Sequence, residues 1–164
     1  MSPRRPPQAP VGPPSTDPEA ARAAAIALLA RRDLASGDLR VRLAAKGFGD
    51  ETAGLAVAAL AREGVVNDER YAQNYVAYHA ARGQGPVRIA ALLRGLGMSA
   101  ALIEGALAGG PDWHALARKA RRARFGPQAP SGWPEKARQA RFLQYRGFSS
   151  DHIRAATGAD PDVD

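Results

Sequence analysis

The stretch Arg118-Lys119-Ala120-Arg121-Arg122-Ala123-Arg124 puts five cationic side chains on two turns of one helix. Such a row can meet phosphates or carboxylates through charge-assisted hydrogen bonds, and it can do little other chemistry. Its setting sharpens the reading. Residues 112–158 hold ten Lys or Arg against three acids, which accounts for the whole formal charge of +7, while the rest of the chain balances at 13 against 13. A polyanion or an acidic partner surface is implied. The candidate contacts here are Arg118, Lys119, Arg121, Arg122, Arg124, Lys136, Arg138, Arg141 and Arg146. Arg outnumbers Lys by 20 to 3, which favours forked recognition of carboxylate or phosphate, although a GC-rich genome biases composition the same way.

Catalytic patterns fail one by one. His79, His114 and His152 are too far apart in sequence for a metal-ligand spacing, and with no cysteine there is neither thiolate chemistry nor a disulfide framework. No G-x-S-x-G elbow or G-x-x-x-x-G-K-[ST] loop occurs. Gly83-Gln84-Gly85-Pro86 imitates a phosphate loop, but proline at a first helical position removes an N–H, so a helix-to-helix turn is the better account. The acid pairs Asp50-Glu51 and Asp68-Glu69 stand where helices open, and there they complement the helix dipole. The chain is read as a non-enzyme without a cofactor.

The elements that carry the basic run repeat. Gly47-Phe48, Gly97-Met98 and Gly147-Phe148 lie fifty residues apart; Leu43, Leu93 and Leu143 stand four residues earlier, and Leu39, Ile89 and Gln139 eight earlier. Ala53, Ile103 and Ile153 follow six residues after each Gly. Apolar positions at i and i+4 followed by Gly describe a helix that buries one stripe and stops, with a second helix after the turn. A third helix precedes each pair: from Asp17-Pro18 to about Asp33, from Asn67 to near Gly83, and from Asp112 to Gly126. Tyr71, Tyr75 and Tyr78 make one stripe of the middle one and are read as core. Residues 126–134 are too rich in Pro and Gly to be helical. The expected fold is all-α, three tandem three-helix repeats in an elongated curved array, with repeats at 17–64, 65–110 and 111–158.

Residues 1–16 hold six of the thirteen prolines and little that is apolar, and residues 159–164 are acidic, so both ends are read as disordered tails. Removing residues 1–15 is therefore expected to leave stability unchanged. No leader or membrane-spanning run is found in the sequence, and a cytoplasmic monomer is expected.

Residues 67–98, NDERYAQNYVAYHAARGQGPVRIAALLRGLGM, resemble the central motif of the RecX family of recombinase regulators, approximately DDxRFAxxFVxxRxxRGxGPxRIxxELxxKGI. Asp68, Arg70, Tyr71, Ala72, Tyr75, Val76, Arg82, Gly83, Gly85, Pro86, Arg88, Ile89, Leu93 and Gly97 fall on that pattern. SGDLRVRLAAKGF upstream resembles the family's SxxELxxKLxxKGF, and KARQARFLQYRGFSSDHI downstream its third repeat; Asn67, His79, Ala91-Leu92 and Leu96 depart from the pattern. The resemblance spans about residues 20–158. It adds Arg70, Arg82 and Arg88 as binding candidates. It implies a bacterial protein that binds the RecA recombinase filament on DNA and mainly inhibits its ATP hydrolysis, strand exchange and co-protease activity, in DNA repair, recombination and the SOS response. The basic third repeat would face single- or double-stranded DNA or acidic groove residues. Two other readings are a helix-turn-helix-like DNA-binding protein without a recombinase partner, and a passive scaffold with a solvated basic face.

Overall fold

Asp17 begins the first helix as its composition demands: its carboxylate accepts the N–H groups of Glu19 and Ala20 at 3.0 and 3.2 Å, and Pro18 fills the first turn. The computed structural model describes residues 10–159, and these are all-α, with nine helices among them. They are α1 (Pro18–Leu29), α2 (Ser36–Ala45), α3 (Asp50–Arg62), α4 (Asp68–Ala80), α5 (Pro86–Gly95), α6 (Ala100–Ala108), α7 (Trp113–Phe125), α8 (Trp133–Arg146) and α9 (Ser150–Thr157). Asn67 accepts from Arg70 N–H at 2.9 Å to start α4, and Asp112 accepts from Ala115 N–H at 3.0 Å to start α7. Gly47, Gly97 and Gly147 follow α2, α5 and α8 with φ of +100°, +82° and +91°. That is the left-handed conformation a terminal glycine supplies.

The fifty-residue register is the core register. Leu39, Leu43, Ile89, Leu93, Leu143 and Ile153 are fully or almost fully buried. Residues up to Tyr71 form one compact unit and residues from Ala72 form another, with the division inside α4. In the first unit α1 and α2 pack on α3 around Leu39, Leu43, Val57 and Leu60. In the second, α7 and α8 pack on α9 around Ala117, Leu143, Phe148 and Ile153.

Three expectations need correction. Helix α1 ends at Leu29 rather than near Asp33, and Asp33 instead pairs with Arg70 at 3.6 Å. The tyrosine stripe of α4 is not the buried one: Ala72, Val76 and Ala80 are buried, Tyr71 and Tyr75 half-buried and Tyr78 exposed. The apolar stripe of α4 is carried by Ala72, Val76 and Ala80, and the large rings stand beside it, half-buried or exposed. Helix α8 begins at Trp133, with Pro134 in its first turn, so the Pro- and Gly-rich loop is shorter than its composition suggested. Helix α2 also lacks a cap of its own. Ser36 donates its N–H to Asp68 at 2.8 Å and its hydroxyl to the other carboxylate oxygen, so an acid at the start of α4 closes the start of α2.

The turns after α2 and α8 are both engaged by main-chain groups of another segment. Val87 N–H donates to Gly147 C=O at 2.9 Å, and Gly85 N–H to Arg146 C=O at 2.8 Å. Ser15 N–H donates to Gly47 C=O at 2.7 Å, and Gly49 N–H to Ser15 C=O at 2.9 Å. Gly47 and Gly147 are equivalent in the repeat, and each partner follows a proline, Pro14 or Pro86. Ser15 thus occupies on the first repeat the seat that the start of α5 occupies on the third. The reading of residues 1–16 as a disordered tail fails at Ser15, because a proline-rich segment can pair through backbone groups alone; residues 1–9 and 160–164 lie outside the described residues.

These seats make specific demands. A Cβ on Gly85 would stand 2.4 Å from the Gly147 carbonyl carbon and oxygen, so Gly85→Ala must move backbone and is expected to cost about 1–3 kcal/mol. Gly105→Ala, inside α6 with open space around it, is expected to gain about 0.5–1 kcal/mol; urea unfolding of both variants checks the contrast. Deleting residues 1–15 removes two backbone hydrogen bonds and is expected to cost about 1–2 kcal/mol in the same assay. His152 offers a pH test. Its Nδ1 accepts from Ser149 N–H in a capping box at 3.3 Å, and burial, aided by the charge of His114, pushes its pKa below the ordinary value. The unfolded chain then binds the proton more readily, so stability should fall as pH drops below about 6.5. His152→Gln is expected to flatten that decline in thermal melts between pH 7.5 and 5.

Candidate polyanion-binding site

The three acids of the last repeat are all committed to local tasks. Asp112 caps α7, and the N–H of Ala115 holds its carboxyl below the usual range, helped by the charge of Arg118. Glu135 accepts from Gln139 at 2.8 Å and from Arg138 at 2.9 Å, which likewise lower its pKa. Asp151 pairs with Arg154 at 3.0 Å. Lys119, Arg122, Arg124, Lys136, Arg141 and Arg146 therefore have no carboxylate partner among the described residues.

The first unit treats its cations differently. Arg22 meets Glu63 through two contacts of 2.8 Å, Arg40 meets Asp50 at 2.9 and 2.6 Å, and Arg42 meets Asp38 at 3.1 Å. Hydrogen bonding from the arginines pulls the carboxyls of Asp50 and Glu63 below their ordinary pKa. Arg70, one of the candidates, pairs with Asp33 and donates to Val65 C=O at 3.3 Å, so it serves the fold of this unit.

In the second unit a groove of about 330 Å³ opens between the end of α4, α7 and α8. Arg82, Lys119, Arg124 and Arg146 line it, above a floor that includes Ala80, Leu116, Ala120 and Phe142. Arg146 donates to Arg82 C=O at 3.3 Å and lies 5.2 Å from the Phe142 ring. Arg82 stacks 3.4 Å over Tyr78 and donates to Tyr78 C=O at 3.1 Å. These contacts hold the guanidiniums in place without neutralising them. On the outer side of α7, Arg118, Lys119 and Arg122 line a second concavity with Pro127.

Arg138 pairs with Glu135 and covers the Phe125 ring at 5.2 Å. Lys136 lies beside Gly158 at the C-terminal end of α9, where the helix dipole favours a cation.

Arg121 is the correction among the candidates. It is buried, donating to Gln128 C=O at 2.8 Å, to Pro127 C=O at 3.4 Å and to Gln139 Oε1 at 3.4 Å. The signal for this was available: Gln139 sits where the other repeats carry Leu39 and Ile89, and a buried amide requires a polar partner. Arg121 ties the loop between α7 and α8 to the core and cannot reach a ligand. The groove offers cations without a carboxylate partner among the described residues, over an apolar floor. Among the described residues no cluster of three or more His, Cys, Asp or Glu could hold a metal, and no helix is long and apolar enough to cross a membrane.

Two family models match the chain: RecX, second three-helix domain, over residues 67–107, and RecX, third three-helix domain, over residues 112–157. The Regulatory protein RecX of Halorhodospira halophila is 42% identical over 147 residues, covering 89% of this chain and 91% of the relative. That of Chromohalobacter salexigens is 40% identical over 144 residues, covering 87% and 93%. The crystal structure of RecX from Lactobacillus salivarius superposes with a TM-score of 0.75 over 85% of this chain and 93% of that one; at 19% identity it attests the fold alone. By repeat architecture, by both domain matches and by near full-length relatives, this chain belongs to the RecX family of regulatory proteins.

Proposed function

We propose that this chain regulates the RecA recombinase by binding its nucleoprotein filament on DNA, mainly restraining ATP hydrolysis, strand exchange and co-protease activity. It acts as a cytoplasmic monomer in DNA repair and recombination, through binding rather than catalysis. Family membership supports the regulatory role. The observation that carries the binding mode is the contrast in charge pairing. Arg22, Arg40, Arg42 and Arg70 of the first unit are paired with Glu63, Asp50, Asp38 and Asp33, whereas Lys119 and Arg124 of α7 and Arg146 of α8 line a groove without an acid. Cations held over an apolar floor, and not paired with a carboxylate among the described residues, bind phosphate or carboxylate more strongly than flexible surface lysines do.

The test reverses charge where the side chains are exposed. Lys119→Glu, Arg122→Glu and Arg124→Glu together are expected to weaken inhibition of RecA ATP hydrolysis on single-stranded DNA by roughly tenfold or more, about 1.4 kcal/mol. The salt dependence of DNA binding should flatten as well, by about 0.7 log units per log unit of salt for each phosphate no longer neutralised. Arg121 is left intact because its removal would disturb the core. Arg31→Glu, Arg32→Glu and Arg62→Glu in the first unit are the matched control and should change inhibition by no more than about twofold, since exposed single charges are well screened. Equal inhibition by both triple variants would place the grip elsewhere. Parallel binding to naked DNA separates a filament regulator from a plain DNA-binding protein.

A further inference from the structure

Tyr145 is 77% exposed although it stands in the last turn of a helix whose opposite side is packed. A lone exposed aromatic means little. Its surroundings are what distinguish it. The guanidinium of Arg88, from the first turn of α5, lies 5.9 Å from the ring centroid. Arg141, four residues earlier on α8, shares the same helix face and is itself exposed. Neither arginine has a carboxylate partner among the described residues.

The cluster is also built on rigid backbone. A Cβ on Gly147 would stand 2.2 Å from the Cβ of Arg88, so only glycine lets the end of α8 and the start of α5 come this close. The bonds from Gly85 to Arg146 and from Val87 to Gly147 clamp the two segments together on either side of that approach. The backbone segments that carry Arg88 and Tyr145 are thus clamped to each other.

An open aromatic face between two unneutralised arginines matches one ligand chemistry closely. A single nucleic-acid strand offers an unstacked base for the ring and phosphates on both sides of that base for the guanidiniums. A duplex keeps its bases stacked away from the ring, and an acidic peptide would use the arginines alone. We propose that Tyr145, flanked by Arg88 and Arg141, is a stacking platform for a base of single-stranded nucleic acid. This rests on the reading of α7 and α8 as a polyanion-binding face, and it gives that face a preference the groove by itself lacks.

The experiment measures binding of the full chain, by fluorescence anisotropy, to an oligothymidylate, to an abasic deoxyribose-phosphate oligomer of the same length, and to a duplex. The parent is expected to favour the oligothymidylate over the abasic strand by roughly tenfold. Tyr145→Ala and Tyr145→Leu should lose that preference while binding the abasic strand as before, and Tyr145→Trp should keep it. Leu is the telling variant, because it preserves apolar contact and removes the ring. Equal parental affinity for the base-bearing and abasic strands, equal weakening of both by Tyr145→Ala, or a duplex bound as tightly as the oligothymidylate would each overturn the platform. If the abasic strand still binds with a steep salt dependence, only the platform falls. If none of the three binds, the polyanion reading falls with it.

Discussion

The contact on which the second unit depends is the meeting of two backbones at Gly85 and Gly147. Both positions are glycine for steric reasons, since a methyl group on either would overlap main-chain atoms or the Cβ of Arg88. Two hydrogen bonds close the seat, and through it the turn after α8 is locked to the turn before α5. The functional candidates follow from this lock. It sets Arg82 and Arg146 on one side of the junction, where they share a groove with Lys119 and Arg124, and Arg88 with Tyr145 on the other. Because the bonds are between main-chain groups, side chains around the seat are released from structural duty and can be basic or aromatic. The first unit uses the equivalent seat with Ser15, through its N–H on Gly47 C=O and its C=O on Gly49 N–H.

Position in the fold also governs how charge is distributed. An arginine beside an acid serves folding, and an exposed pair of this kind contributes modestly to stability because water and salt screen it. Four such pairs stand among the described residues of the first unit, and little net field remains there. The third repeat places its few acids at helix starts and in bonds with Gln139, Arg138 and Arg154, so most of its cations keep their field. Arg121 shows that a basic run is not uniform. One turn of helix turns it inward, where three carbonyl oxygens, two from the loop and one from Gln139, replace its water. Arg122 and Arg124, one and three residues further on, are exposed.

Much of the fold was legible because its signals are local. Leucines and isoleucines at a fixed spacing before a glycine define a buried stripe and a helix end wherever they occur, and capping residues such as Asp17, Asn67 and Asp112 act on N–H groups two or three positions away. The excess of positive charge in the last repeat is likewise a property of the chain, and the motif around Gly83-Gln84-Gly85-Pro86 carried the family.

Tertiary structure alone decided which member of a pattern faces where. The tyrosines of α4 formed a credible stripe, but Ala72, Val76 and Ala80 took the interior. Asp68 looked like a simple helix opener and proved to cap a helix distant in sequence. Arg121 and Arg122 are neighbours of the same type, separated only by the rotation of a helix, and one is a core residue while the other is exposed. The sequence by itself determined the helices, which depend on residues within about one or two turns of each other, and with them the repeat and the net charge, which are read along the chain without reference to packing. Which arginines remained unpaired, and that Ser15, Gly47, Gly85 and Gly147 would meet as backbone seats, depended on contacts between segments many residues apart, and those exist only once the helices have packed.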